Sequence, residues 1–156
     1  MTDQSPEQPL SKRRLKTWLR LLRLTRTVEA GLREHLRTEH DTTLPRFDVM
    51  AALYRRRAPI SMSELSRLLL VSNGNATTVV DRLEKDGFAQ RAQAENDRRT
   101  VLVTLTQAGS AAFEAMAAAH ETRLDSLLSA LTHDDLDALR DILRRALPAE
   151  TRKEEK

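Results

Sequence analysis

The stretch SNGNATTVVDRLEKDGF, residues 72–88, decides how this chain is to be read. Ser72 and Asn73 offer side-chain oxygens where the first N–H groups of a helix lack partners, and Ala76, Val79, Val80 and Leu83 then recur at helical spacing. Gly87 supplies a left-handed stop. The other face carries Ser72, Asn73, Asn75, Thr77 and Thr78, all short and polar. Gly74 permits close backbone approach, and Arg82 can reach a phosphate or a base further along. A helix that reads base edges needs such a donor-and-acceptor face while its opposite side stays apolar. The same Ser and Asn would also cap an ordinary surface helix, so the flanking sequence has to decide.

Upstream, Ser61 and Glu64 have the spacing of a capping box and start a short helix at about 61–69, with Ser61 and Ser63 joining the candidate DNA contacts. Two short helices this close make a helix-turn-helix. Downstream, 88–91 and 100–105 read as strands, the second alternating Val101, Val103 and Leu105, around the polar turn Ala94-Glu95-Asn96-Asp97. This hairpin is a wing. Asp97-Arg98-Arg99 puts two guanidinium groups at or near its tip, where one can enter a narrow minor groove and the other hold a phosphate. Asp97 can fix one of them by a charge-assisted pair. Alone, this would be a solvated charged turn, and only the helix just upstream favours DNA. Arg55-Arg56-Arg57 is a weaker phosphate candidate, because charge runs are usually solvated faces.

Further out, Leu15, Trp18, Leu22, Leu32 and Leu36, widened by Leu21, Leu24 and Val28, predict one long helix over 11–38. Its apolar stripe is too broad for a solitary surface helix. Pro45 suits the first position of a second helix, with Phe47, Met50, Ala51 and Tyr54 on one face, ending at Arg55-Arg56-Arg57 before Pro59. Thr106 caps a fifth, with Phe113, Met116, His120, Leu124, Leu127 and Leu131 aligned. Thr132 and Asp135 begin a sixth, striped by Leu136, Leu139, Ile142, Leu143 and Leu147. The expected fold is mainly α with a small β-hairpin wing. A lobe at 45–106 is expected between dimerisation helices at 11–38 and 107–147, with a disordered tail at 1–10 and a flexible one at 148–156.

Composition agrees, since only 3% aromatic residues, 4 Gly and 5 Pro in 156 residues favour helices. No cysteine is present, which excludes disulfides, thiol catalysis, cysteine redox sensing and thiolate metal sites. The start lacks the apolar core of a signal peptide and no apolar run approaches the roughly 20 residues of a membrane span, so a cytoplasmic protein with no membrane partner is expected. The net charge of +3 is unevenly spread. Residues 12–37 hold nine basic side chains against Glu29 and Glu34, while 107–147 hold four basic against seven acidic. The amino-terminal half is built to meet an anion. Paired carboxylates near histidine, a nucleophile elbow, a phosphate loop and a zinc helix are all missing from the sequence. His35 and His40 are five apart and His120-Glu121 has no second half, so neither an enzyme nor a metal or other cofactor is expected.

Three stretches, LPRFDVMAAL (44–53), VVDRLEKDGF (79–88) and NDRRTVLVTLTQAG (96–109), together resemble the multiple-antibiotic-resistance regulator (MarR) family, and the resemblance spans about 12–147. It implies an obligate homodimer in which the first and last two helices intertwine as a dimerisation platform. Two winged helix-turn-helix lobes would hang from it and bind a palindromic operator in double-stranded DNA, in most relatives as a repressor. It also implies a small-molecule pocket lined by the first, second and fifth helices, at Trp18, Leu22, Arg26, Phe47, Met50, Tyr54, Met116 and His120. For each residue singly, plain core packing is the competing account, and for His120 a hydrogen-bonded core histidine. The absence of cysteine departs from the peroxide-sensing branch. LLLVSNGNATTVVDRL (68–83) looks like the branch that governs catabolism of aromatic acids and responds to their coenzyme A thioesters. Arg20, Arg23 and Arg26 would then meet the thioester's phosphates, although attraction of DNA or plain solubility is the simpler reading of that charge. The alternatives are a dimeric interaction module and a DNA-binding regulator without an effector.

Overall fold

In the computed structural model, residues 9–95 and 97–147 are described, Arg98 by its backbone alone. They form six helices and a three-stranded antiparallel sheet of order β1-β3-β2, the expected mainly helical fold with a wing. The first helix, α1 (Leu10–His40), is 31 residues long, about 46 Å at 1.5 Å per residue. Only Leu32 and Leu36 on it are buried. It packs on α5 (Gln107–Leu127) so closely that a Cβ on Gly31 would lie 2.8 Å from Leu127 Cδ2.

The second helix, α2 (Leu44–Arg56), starts one residue earlier than expected, because Thr43 Oγ1 accepts the Arg46 N–H and leaves Pro45 second in the first turn. The strand β1 (Ile60–Ser61) was not expected: two residues carry no alternation, and it exists because Val103 and Leu102 supply its ladder. Next comes α3 (Met62–Leu68), where the capping box forms by half. Ser61 Oγ accepts the Glu64 N–H, but the Glu64 carboxylate pairs with Arg56 at 3.2 Å instead of reaching back.

The fourth helix, α4 (Asn73–Lys85), ends as predicted before Gly87, whose φ of 77° turns the chain into β2 (Ala89–Ala94). That strand and β3 (Asp97–Leu105) pair from Ala89↔Leu105 out to Ala94↔Asp97, with an irregularity at Gln93/Ala94, so the wing is longer than the 88–91 and 100–105 predicted. The added residues, among them Ala92, Gln93, Ala94 and Asp97, carry no large apolar side chain, and backbone pairing holds them. Thr106 Oγ1 accepts the Gly109 N–H at 3.0 Å and donates to Gly87 O at 2.6 Å. Gly109 is obligatory there, since a Cβ would fall 1.9 Å from Phe88 O. Leu131, expected on the α5 face, lies beyond that helix's end at Leu127. Finally α6 (His133–Ala146) carries a complete Thr132–Asp135 capping box and buries none of its residues.

The core lies where α2, α4 and the sheet meet, around the fully buried Val49, Met50, Leu65, Val80, Leu83 and Val103, and Leu36 extends it to α1. None of the described helices is long and apolar enough to cross a membrane.

Candidate nucleic-acid interface

Ala76, Val80 and Leu83 anchor α4 in that core, which leaves Asn73, Gly74, Asn75, Thr77, Thr78 and Arg82 exposed on its outer side. The helix is held from three directions. On the wing side, Arg91 of β2 reaches Asp81 Oδ1 and Glu84 Oε2, each at 2.6 Å, and its backbone N–H donates to Glu84 Oε1 at 3.2 Å. On the α2 side, Arg46 Nη2 meets Asp86 Oδ2 at 2.6 Å. At the start, the buried Ser66 hydroxyl donates to Asn73 Oδ1. None of these three clamps was predicted. Their partners lie on different elements, up to 40 residues apart for Arg46 and Asp86, and no local pattern announces them.

The predicted contacts separate by what already occupies them. Ser72 Oγ accepts the Asn75 N–H at 3.2 Å and Ser61 Oγ the Glu64 N–H, so both act as caps. Asn73 turns its carbonyl oxygen inward to Ser66. Ser63 is exposed, and its backbone carbonyl lies 3.1 Å from Ser66 Oγ. Thr78 Oγ1 donates to Gly74 O at 3.0 Å and keeps its outward lone pairs for an acceptor role. A Cβ on Gly74 would meet nothing within 4 Å, so no contact inside the chain requires glycine there. Asn75, Thr77 and Arg82 have side chains with no hydrogen-bond or ion-pair partner among the described residues.

At the wing, the Asp97 carboxylate accepts the Arg99 N–H at 2.9 Å and the Thr100 hydroxyl at 2.7 Å. Those bonds, Thr100 first, hold its pKa below the ordinary carboxylate value. The Arg99 side chain is exposed, and the Arg98 side chain lies outside the described residues. Of the Arg55-Arg56-Arg57 run, Arg56 is committed to Glu64, and Arg57 closes α2 in a left-handed conformation with φ 52°.

The residues assigned to a small-molecule pocket fall into two places. Phe47, Tyr54, Met116 and His120 cluster where α2 meets α5, together with Phe113 and the neighbouring Met50. His120 stacks on Phe47 with ring centroids 4.0 Å apart. Tyr54 Oη donates to Glu114 Oε1 at 2.6 Å, a bond that raises the phenol's pKa. Phe47, Met50 and Met116 are buried and act as core. His120 differs from a hydrogen-bonded core histidine, because its Nδ1 is buried without a partner, as are Nε2 of His35 and Nε2 of His40. Burial, then the nearby His35, lowers the His120 pKa, so its ring is neutral near pH 7. Trp18, Leu22 and Arg26 lie elsewhere. Arg26 is nine residues before His35, about 14 Å along α1, and Trp18, 56% exposed, lines a shallow groove made by α1 alone.

The sequence pattern of the MarR family matches residues 42–101, the segment from the start of α2 into the wing. An uncharacterized HTH-type transcriptional regulator of Bacillus subtilis, YkoM, is 38% identical over 109 residues, 69% of this chain and 70% of that protein. The HTH-type transcriptional regulator PecS of Dickeya dadantii is 36% identical over 64% of this chain and 61% of its own length. Among solved structures, wild-type MarR of E. coli in its apo form superposes with a TM-score of 0.70 at 30% identity, over 90% of this chain and 98% of that one. A mutant of the same protein complexed with operator DNA superposes better, with a TM-score of 0.78 at 29% identity over 90% and 99%.

Proposed function

This chain belongs to the MarR family of DNA-binding transcriptional regulators, and from that premise we propose that it acts in the cytoplasm as a homodimeric repressor released from a palindromic operator by a small acidic effector. One observation carries the reading: the same chain exposes an anchored polar helix and an unanchored apolar one. Asn75, Thr77 and Arg82 on α4 have no side-chain partner among the described residues, and Thr78 beside them is exposed. On α6, Leu136, Ile142 and Leu143 are all at least 40% exposed, and on α1 Leu15, Trp18 and Leu19 all exceed 50%. Apolar stripes of that size need a partner, and a second copy offers the same stripe.

In this reading, helices 11–38 and 107–147 of two chains form the platform and the lobes at 45–106 hang below. Two copies of α4 enter successive major grooves about 34 Å apart, and Arg98 and Arg99 of each wing take the flanking minor groove and backbone. The effector site is the α2–α5 junction. There the stacked ring of His120 and the unpartnered nitrogens of His35 and His40 provide hydrogen-bond donors for an acid, beside the rings of Phe47 and Tyr54. An aromatic acid or its coenzyme A thioester suits that chemistry, with Arg20, Arg23 and Arg26 further along α1 for the thioester's phosphates. An effector that prefers a lobe spacing mismatched to the operator must weaken DNA binding by the same factor as DNA weakens it.

Selection from random duplex DNA, followed by fluorescence anisotropy and light scattering, tests this. The expected result is a particle of twice the chain's 17.7 kDa that selects an inverted repeat and releases it on adding an aromatic acid or thioester. A monomer with full affinity, or binding without sequence preference, would overturn it.

A further inference from the structure

A second concavity, about 330 Å³ in volume, opens between the first turns of α2 and the amino-terminal half of α4. Pro45, Val49, Leu69, Val71 and Val79 give it apolar walls, and Asp48 is its one charged group. It is separate from the α2–α5 junction: Phe47 faces His120 on the other side of α2, while Asp48 and Val49 face α4.

Asp48 is the anomaly. No described residue hydrogen-bonds to it or ion-pairs with it. The charge nearest in effect is Glu29 of α1, itself a carboxylate, whose own partner Arg33 is a loose 3.9 Å away. Surrounding protein mass and the Glu29 charge push the Asp48 carboxyl up to about 6. Asp48 is exposed, so above that pH it presents at the mouth of the groove a hydrated negative charge that no described residue pairs with, beside hydrocarbon walls.

That combination selects its occupant by elimination. A bare divalent cation needs six or more oxygens, and these walls are hydrocarbon. An anion is repelled by Asp48 and Glu29. A neutral molecule gains the walls but nothing from the carboxylate, which stays hydrated. An ammonium ion on a small apolar or aromatic body satisfies both. Asn75 and Thr78, two of the proposed base-contacting residues, also line the groove, so an occupant sits under the DNA-facing row of α4.

We propose that this groove is a binding site for small organic ammonium ions, with Asp48 as the counter-charge, and that its occupancy opposes DNA binding at Asn75 and Thr78. The second clause rests on the DNA-binding function proposed above, whereas the first does not.

Titrating benzylammonium, benzyl alcohol and benzoate into the full-length protein at pH 7.5, followed by amide NMR shifts, tests the site directly. Benzylammonium is expected to shift the amides of residues 75–79. Its dissociation constant should rise about tenfold or more in Asp48→Asn, with benzyl alcohol as weak as that variant and benzoate weaker still. Val71→Phe, at an exposed position on the rim, should plug the groove and abolish the shifts. Equal affinity for benzyl alcohol, undiminished binding in Asp48→Asn, or shifts confined to the surroundings of His120 would each overturn the site. The DNA arm repeats the anisotropy measurement with benzylammonium present. Operator affinity should fall for the natural chain and hold for Asp48→Asn. Ligand binding without that fall would sink the competition alone, and failure of the ligand-free protein to bind DNA would sink the proposed function while leaving the site standing.

Discussion

The helices α4 and α6 are nearly the same length, 13 and 14 residues, and each begins at a hydroxyl that caps its third N–H. They part in what they do with their apolar side. The α4 helix buries Ala76, Val80 and Leu83 inside its own chain and is clamped by Arg91, Arg46 and Ser66. The α6 helix buries nothing, and Arg140 finds Asp137 and Asp141 only within the helix. A helix whose apolar face is satisfied at home can offer a polar face in a fixed orientation. One whose apolar face is left open offers that face instead. The first suits a rigid template such as DNA, the second another copy of itself.

Removing the home anchor should have the largest effect. Leu83 is fully buried, so Leu83→Ala is expected to cost about 3 to 4 kcal/mol in urea unfolding. That loss should appear at every protein concentration. Ile142→Asp on the open face of α6 should instead act through association: the dimer dissociation constant rises by roughly tenfold to a hundredfold, the worth of one buried side chain, read by sedimentation at nanomolar to micromolar concentrations. An unchanged constant would show that α6 is not an association surface. Arg91→Met leaves the hydrocarbon stem and removes both ion pairs. The Arg91 side chain is only 22% exposed, and the change should cost about 1 to 2 kcal/mol of stability while lowering operator affinity more than affinity for random DNA. Equal losses on both DNAs would reduce Arg91 to plain structural support. The smallest effect has the opposite sign. Leu70, between α3 and α4, is 88% exposed at φ 55°, a conformation that disfavours leucine. Leu70→Asn should gain about 0.5 to 1 kcal/mol, visible as a higher melting temperature.

The sequence disclosed those parts of the molecule where one local rule acts alone. Helix starts at Ser61, Ser72, Thr106 and Thr132 were marked by hydroxyl residues that do cap, whereas the Thr43 cap of α2 went unread behind Pro45. The inner half of β3 was legible through the alternation of Val101, Val103 and Leu105, whereas Ala92, Gln93, Ala94 and Asp97 pair through backbone and carry no large apolar side chain. Where two partners compete for one group, local pattern failed: Glu64 had a choice between its own cap and Arg56. Asn73 was predicted as a reader because nothing in the sequence says that Ser66, seven residues earlier, is buried beside it. Periodicity also tells which face of a helix a residue occupies but not where along 31 residues its neighbours end. The family resemblance put Trp18 and His120 in one pocket, and on this chain they lie apart.

The hydroxyl of Thr106 has a consequence for motion. It ties Gly87, at the exit of α4, to Gly109, in the first turn of α5, and Phe88 O fills the space a side chain would need. The seam at the other end of the lobe is looser, three residues between α1 and α2 secured by the Thr42 N–H on Leu36 O at 3.1 Å. A lobe tied so unequally is expected to swing like a door hung on one stiff hinge, about Thr106, with its free edge at residues 41–43. The Gly109 amide should then be among the last in the lobe to exchange with deuterated water, whichever way the door stands.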